Sequence, residues 1–202
     1  MSRRSIFAAM TVATTTIVVS AVFPVLVKLV WNASASVPIG LYTLNTSRAL
    51  ALGDLVAVLP DRALAGFMVR RGYIGHGVPL LKHVAALPGQ RVCRQDHSVT
   101  VDGLRLGDAL ESDRLGRPLP IWKGCRTLAV GEIFLMNAAV RDSFDGRYFG
   151  PVQARSVIGI ATPLLTQEAA SDQFVWRAAA VPTIPDVTSI STQQKEYDHA
   201  DR

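Results

Sequence analysis

From Ile6 to Val27 the chain carries no charged side chain. A helix of about 22 residues is about 33 Å long, close to the roughly 30 Å of a bilayer's hydrocarbon core. Arg3 and Arg4 precede the run, and no acidic residue occurs before Asp54. Positive charge is retained on the cytoplasmic side, so residues 1–5 stay inside and everything after about Trp31 is exported. Pro24 falls near the outer end, where a kink is tolerated, Lys28 can snorkel outward, and Trp31 suits the interface. The run therefore predicts an uncleaved transmembrane anchor over 6–31. Two other readings compete. A buried soluble helix would keep a polar stripe, whereas this run offers only Thr and Ser. A cleaved signal peptide could use Ala33-Ser34-Ala35 as its small-x-small site, but the run exceeds the roughly 7–15 apolar residues of such a leader.

The remaining composition excludes several classes. Hydrophobic residues make up 49% of the 202 and charged ones 18%, which is not a disordered composition. The net charge of +5 comes from 21 Lys+Arg scattered among 16 Asp+Glu. No basic patch forms, so no nucleic-acid partner is expected. Arg3, Arg4 and Lys28 belong to the anchor region, which leaves the exported part nearly neutral. Cys93 and Cys125 are too few for a disulfide-dense scaffold and lack zinc-site spacing. In an exported domain they can pair, at ~3.7 kcal/mol on chain-entropy grounds, or stay as two free thiols. His76, His83, His97 and His199 show no ligand-like spacing, so neither a metal nor another cofactor is expected.

The exported part reads as antiparallel β. Leu55–Leu59 is a short strand opened by Gly53-Asp54, and Leu80–Leu87 a second, stopped by Pro88-Gly89. Gln90–Arg94 follows. Ser98–Val101 and Leu104–Leu106 flank Asp102-Gly103, a two-residue hairpin turn. Glu132–Met136 and Ser156–Pro163 are further strands, and Arg62–Ile74 a short helix weakened by Gly66 and Gly72. Neither βαβ alternation nor a repeat is present. The expected organisation is mainly β: an N-terminal transmembrane helix, an antiparallel β-rich domain over 32–177, and a polar, disordered tail over 178–202.

Three short segments carry chemistry. Asn32 to Tyr42 places Ser34 and Ser36 before a Pro-x-Gly turn, although a polar linker outside the membrane has the same look. Leu80 to Gly89 holds Lys82 inside an apolar strand, where burial would depress its pKa. An edge strand with the lysine in water is the plainer alternative. Asp142 to Pro151 sets Ser143, Asp145 and Arg147 at every second position, on one face if the segment is extended. A surface turn with an Asp–Arg pair is the alternative there. Taken together, a serine nucleophile, a neutral lysine base, a serine orienting the amine and a bracing ion pair make a complete acyl-transfer site. His83 adjoins Lys82 but faces the opposite side of a strand, which sets it aside as the base.

At these residues the chain resembles the signal peptidase superfamily, specifically the TraF-type peptidases of conjugative transfer systems. Ser36-Val37-Pro38-Ile39-Gly40-Leu41-Tyr42 has the form of the conjugative branch, Lys82 to Gly89 is similar to the lysine segment, and Gly53-Asp54-Leu55-Val56 to the strand after the nucleophile. Ser143-x-Asp145-x-Arg147-Tyr148-Phe149-Gly150 is similar to the final box, without the Gly-Asp-Asn that usually introduces it, so a differently shaped loop is expected from Met136 to Asp142. The resemblance implies a signal-peptidase-like fold with Ser36 as nucleophile, Lys82 as general base, Ser34 as an oxyanion-hole hydroxyl, Ser143 as the partner of the lysine amine, and Asp145–Arg147 as a structural pair.

It also implies no cofactor, a membrane-embedded pilin precursor as substrate, small side chains at the cleavage site, and an acyl-enzyme released by water or by the pilin's own N-terminus. Other conjugation-system proteins are implied as partners. The implied location is the bacterial inner membrane, single-pass, with the N-terminus cytoplasmic and the catalytic domain periplasmic. Ser36 would lie some five residues past the lipid, beside an equally membrane-bound substrate. Two rivals are a general type I signal peptidase serving many exported proteins and a non-catalytic assembly factor of a pilus or secretion complex.

Overall fold

The computed structural model describes residues 3–22, 28–167 and 173–177. α1 (Arg3–Val22) opens the chain, and its side chains Ile6, Phe7, Met10 and Val12 are exposed. Among the described residues no helix is long and apolar enough to cross a membrane. The charge-free run continues to residue 27, and 23–27 lie outside the described residues, as does the tail expected over 178–202.

The sheet begins earlier than the boundary drawn at 31/32. Leu29, Val30 and Trp31, β-prone residues, belong to β1 (Lys28–Asn32), which pairs antiparallel with β2 (Gly40–Asn45) from Lys28↔Leu44 to Asn32↔Gly40. Then follow β3 (Leu55–Val58), α2 (Arg62–Arg70), β4 (Leu80–Ala86), β5 (Arg91–Gln95), β6 (Ser98–Val101), β7 (Leu104–Asp108) and β8 (Gly124–Thr127). The chain continues through β9 (Glu132–Leu135), α3 (Gly146–Phe149), β10 (Val152–Gln153), β11 (Val157–Gln167) and β12 (Phe174–Trp176). The larger sheet runs β1-β2-β11-β3-β4-β9-β10, with β12 beside β11, and the smaller runs β7-β6-β5-β8. Every described strand pairing is antiparallel.

Local chemistry explains the element boundaries. Asp61 caps α2 by accepting from Leu64 N–H at 2.9 Å, and the helix stops at Arg70, short of the expected Ile74, because Gly72 takes φ +71°. Asp102 (φ +50°) and Gly103 (φ +84°) turn β6 into β7 as the dipeptide predicts. β11 runs four residues past Pro163, and its pairing with β2 shifts register between Pro163 and Leu165, where proline has no N–H to give. Gly40 (φ +147°) faces that irregularity, and a Cβ there would meet Leu165 O at 2.2 Å. Only glycine lets β2 close onto β11 at the end of the loop that carries Ser36.

Cores lie on both sides of the larger sheet. Val56, Val58, Val84, Ile133, Leu135 and Ile160 pack together, as do Val37, Tyr42, Leu44, Ala57, Leu81 and Ala161. A third cluster, including Ala86, Val92, Val99, Leu128 and Phe134, joins the two sheets. Cys93 and Cys125, register partners on β5 and β8, form a disulfide. The pairing left open by the sequence is thus closed across the smaller sheet.

Candidate active site

Residues 33–39 connect β1 to β2 and carry both candidate serines. Asn32, buried at the end of β1, holds this loop with one side chain. Its Oδ1 accepts from Ser34 N–H at 3.1 Å and from the Ser34 hydroxyl at 3.0 Å. Its Nδ2 donates to the carbonyls of Ser34 (2.8 Å), Val37 (3.1 Å) and Pro38 (3.1 Å). The Tyr42 hydroxyl donates to Pro38 O at 2.6 Å. Ser34 Oγ and Ser36 Oγ lie 3.1 Å apart. A hydroxyl has one proton, so Ser34 can give it to Asn32 or to Ser36 but not to both. When Asn32 takes it, Ser36 is the donor to Ser34.

Lys82 sits on β4, an interior strand whose seven residues are all buried, with β3 and β9 on its flanks. The edge-strand alternative does not hold: Lys82 is only 3% exposed and stands opposite Val56. Its Nζ donates to Ser143 Oγ at 2.7 Å. Burial lowers the amine's pKa to about 8, a shift opposed by the Asp145 carboxylate and helped by the Arg147 guanidinium. About a tenth of the amine is therefore neutral at pH 7, far more than for an ordinary lysine. His83 takes a different partner, Asn137 Oδ1, at 2.9 Å from its Nδ1, and burial depresses its pKa as well.

The segment holding Ser143, Asp145 and Arg147 is not extended. Asp145 caps α3, accepting from Arg147 N–H at 3.1 Å, so the backbone turns and the three side chains do not share a strand face. Instead Arg147 folds back on Asp145 as a fork, Nε to Oδ1 at 2.9 Å and Nη2 to Oδ2 at 2.8 Å, both residues fully buried. The same guanidinium donates to the carbonyls of Val140 (2.7 Å), Arg141 (3.1 Å) and Ser143 (3.2 Å). The loop that lacks Gly-Asp-Asn is thereby shaped by Arg147, which fixes Ser143 from behind. Gly146 is required at this spot because a Cβ would meet Leu135 O at 2.6 Å and the Phe134 ring at 2.7 Å. Arg94, buried on β5, donates to Arg147 O at 2.5 Å and ties the smaller sheet to the site.

Sequence reasoning missed Asn32 and Asn137. Asn137 is fully buried and donates through Nδ2 to Ser36 O at 2.9 Å and Leu81 O at 3.2 Å. Its Oδ1 accepts from His83 N–H at 3.1 Å, and its own N–H donates to Asp145 Oδ2 at 3.1 Å. One amide thus joins the serine loop, the lysine strand and the Asp–Arg pair. The one signal in the sequence is a polar residue directly after the apolar Ile133–Met136.

Ser34, Ser36, Lys82 and Ser143 all line one cleft of about 860 Å3. Asp145 and Arg147 lie behind its wall. The arrangement offers a hydroxyl nucleophile, a buried amine able to accept a proton, and neighbouring hydroxyl and N–H donors for a developing oxyanion. Among the described residues no group of His, Cys, Asp and Glu is placed to hold a metal ion.

Comparison with known proteins adds ancestry to this geometry. The family described as signal peptidase, peptidase S26, matches residues 2–165. A plasmid transfer protein TraF of Escherichia coli is 33% identical over 144 residues, covering 67% of this chain and 81% of that protein. A conjugal transfer protein TraF of Agrobacterium tumefaciens is 34% identical over 144 residues with the same coverage. A signal peptidase I of Enterococcus faecalis has a TM-score of 0.35 at 20% identity, covering 57% of this chain and 98% of that one.

Proposed function

The chain belongs to the signal peptidase family, peptidase S26, with TraF conjugal transfer proteins as its relatives, and on that premise we propose that it is a membrane-anchored serine endopeptidase using a Ser36–Lys82 dyad to process a pilin precursor for a conjugative transfer system. The observation that carries this reading is the Lys82 amine, buried, lowered to about 8, bonded to Ser143, and lining the same cleft as Ser36. Neutral Lys82 takes the Ser36 hydroxyl proton as Oγ attacks the scissile carbonyl. The oxyanion is held by the Ser36 N–H and by the Ser34 hydroxyl, whose proton turns to it from Asn32 Oδ1. Lys82, now an ammonium, gives its proton to the leaving amine, and an ester to Ser36 remains. Water, or the N-terminal amine of the pilin, then attacks the ester, giving a linear or a cyclic product.

The exposed apolar side chains of α1 and the charge-free run that continues to residue 27 support a single-pass anchor in the bacterial inner membrane, with the N-terminus cytoplasmic and the catalytic domain periplasmic. Mass spectrometry of a candidate pilin co-expressed with the wild-type chain or with Ser36→Ala tests the reading. Cleavage is expected with the wild type alone, and loss of one water from the product would mark ring closure. A pilin processed equally by Ser36→Ala would overturn it.

A further inference from the structure

The wall of the same cleft holds an unbalanced charge cluster. Asp113 lies at its centre, with carboxylate oxygens already taken. Oδ1 accepts the backbone N–H groups of Leu115 and Arg117, both at 2.9 Å, and Oδ2 accepts the Tyr73 hydroxyl and Arg117 Nε, both at 2.7 Å. A second guanidinium, Arg71, approaches Oδ2 only to 3.7 Å. Its Nη1 is buried without a hydrogen-bond partner, while the side chain as a whole keeps 23% of its surface in the cleft wall and packs over the Phe67 ring. Two cations thus share one saturated carboxylate. The next cation along the wall, Arg114, is neutralised by Asp142 and does not correct the imbalance.

A guanidinium with one buried nitrogen left unpartnered is unfavourable, and a planar carboxylate reaching its exposed part matches a guanidinium's donor fork. We propose that Arg71, beside the Arg117–Asp113 pair, forms a substrate subsite for a peptide carboxylate, an Asp or Glu side chain or a free C-terminus, in the cleft that Ser36 also lines. This rests on the peptidase reading of the cleft. The two regions share one wall: Phe144, next to Ser143, lies 5.0 Å ring to ring from Tyr73, whose hydroxyl bonds Asp113.

The full-length Ser36→Ala chain in detergent micelles binds peptide without cutting it, which separates this test from the chemistry. The probes are Ala/Ser decapeptides carrying a neutral dye, with one Glu walked through each position. Each has a Gln twin, and an acid-ended peptide is paired with its amide. At one register the anionic peptide is expected to bind about tenfold tighter than its neutral twin, and less so at high salt. Glu position and the acid–amide pair tell a side-chain carboxylate from a chain terminus. Adding Arg71→Gln should erase the preference, while Arg71→Lys should retain part of it. Equal affinity of all twins, absence of binding by every peptide, or a preference that survives Arg71→Gln would overturn the subsite. Failure of the Ser36–Lys82 reading would instead leave the preference intact and show as processing by Ser36→Ala.

Discussion

Ser143 accepts the hydrogen bond of the Lys82 amine at 2.7 Å across 61 residues of sequence. Much of what can be measured on this site depends on that contact.

Activity should rise with pH. In the proposed mechanism only neutral Lys82 accepts the Ser36 proton, and the amine is lowered to about 8. Below that value kcat/KM should fall about tenfold per pH unit, the slope of a single proton. A profile from about pH 6 to about pH 10 checks it, and a flat acid limb would exclude a lysine base. The same shift bears on stability. The unfolded lysine holds its proton up to the ordinary value of 10.5, so between about 8 and 10.5 this group makes stability increase with pH.

Ser143→Ala removes the acceptor from a buried donor, at about 1–3 kcal/mol of stability. Because the charged amine loses more than the neutral one, the acid limb of the profile should move to lower pH while kcat falls. Ser143→Thr should restore the limb. An unchanged profile in Ser143→Ala would show that the 2.7 Å contact does not tune the base.

Asn137→Ala cuts links from one side chain to Ser36 O, Leu81 O and His83. We expect about 2–4 kcal/mol of destabilisation, read as a lower urea midpoint. Processing should remain impaired under conditions where the variant is fully folded, because the Ser36 carbonyl loses its tether. Asn32→Ala should act on the same loop, which its side chain holds through Ser34, Val37 and Pro38.

Replacing Cys93 and Cys125 by serine opens a cross-link between residues 32 apart in sequence. The expected loss is ~3.7 kcal/mol on chain-entropy grounds. The smaller sheet reaches the site through Arg94 and Arg147, so activity should be kept at low temperature and lost on warming earlier than in wild type. A melting curve with parallel activity measurements decides this.

Local chemistry was readable from the sequence, and long-range partnership was not. The Asp102-Gly103 turn, the helix from Arg62 and the apolar strand from Leu80 each announce themselves within a few residues. Lys82 stands out because a lysine is unusual in an apolar strand, whereas Ser36 and Ser143 are singled out by the family resemblance of their segments. Asn137 escaped because its role depends on Ser36, 101 positions away, and a lone amide after an apolar strand says nothing of its partners. β1 was absorbed into the apolar run, since Leu29-Val30-Trp31 suits a membrane interface and a strand equally. Alternation misled at Asp145, where a cap bond to Arg147 N–H bends the chain into α3.

The pairing of β1 with β2 makes the Ser36 loop the tip of a hairpin that starts directly after the apolar run. Five residues of β1 extend about 17 Å. In an enzyme anchored as proposed, that strand is a measuring rod: it limits how far from the bilayer the nucleophile can reach. Where a precursor is cut would then depend on the height of a bond above the lipid as well as on the residues around it.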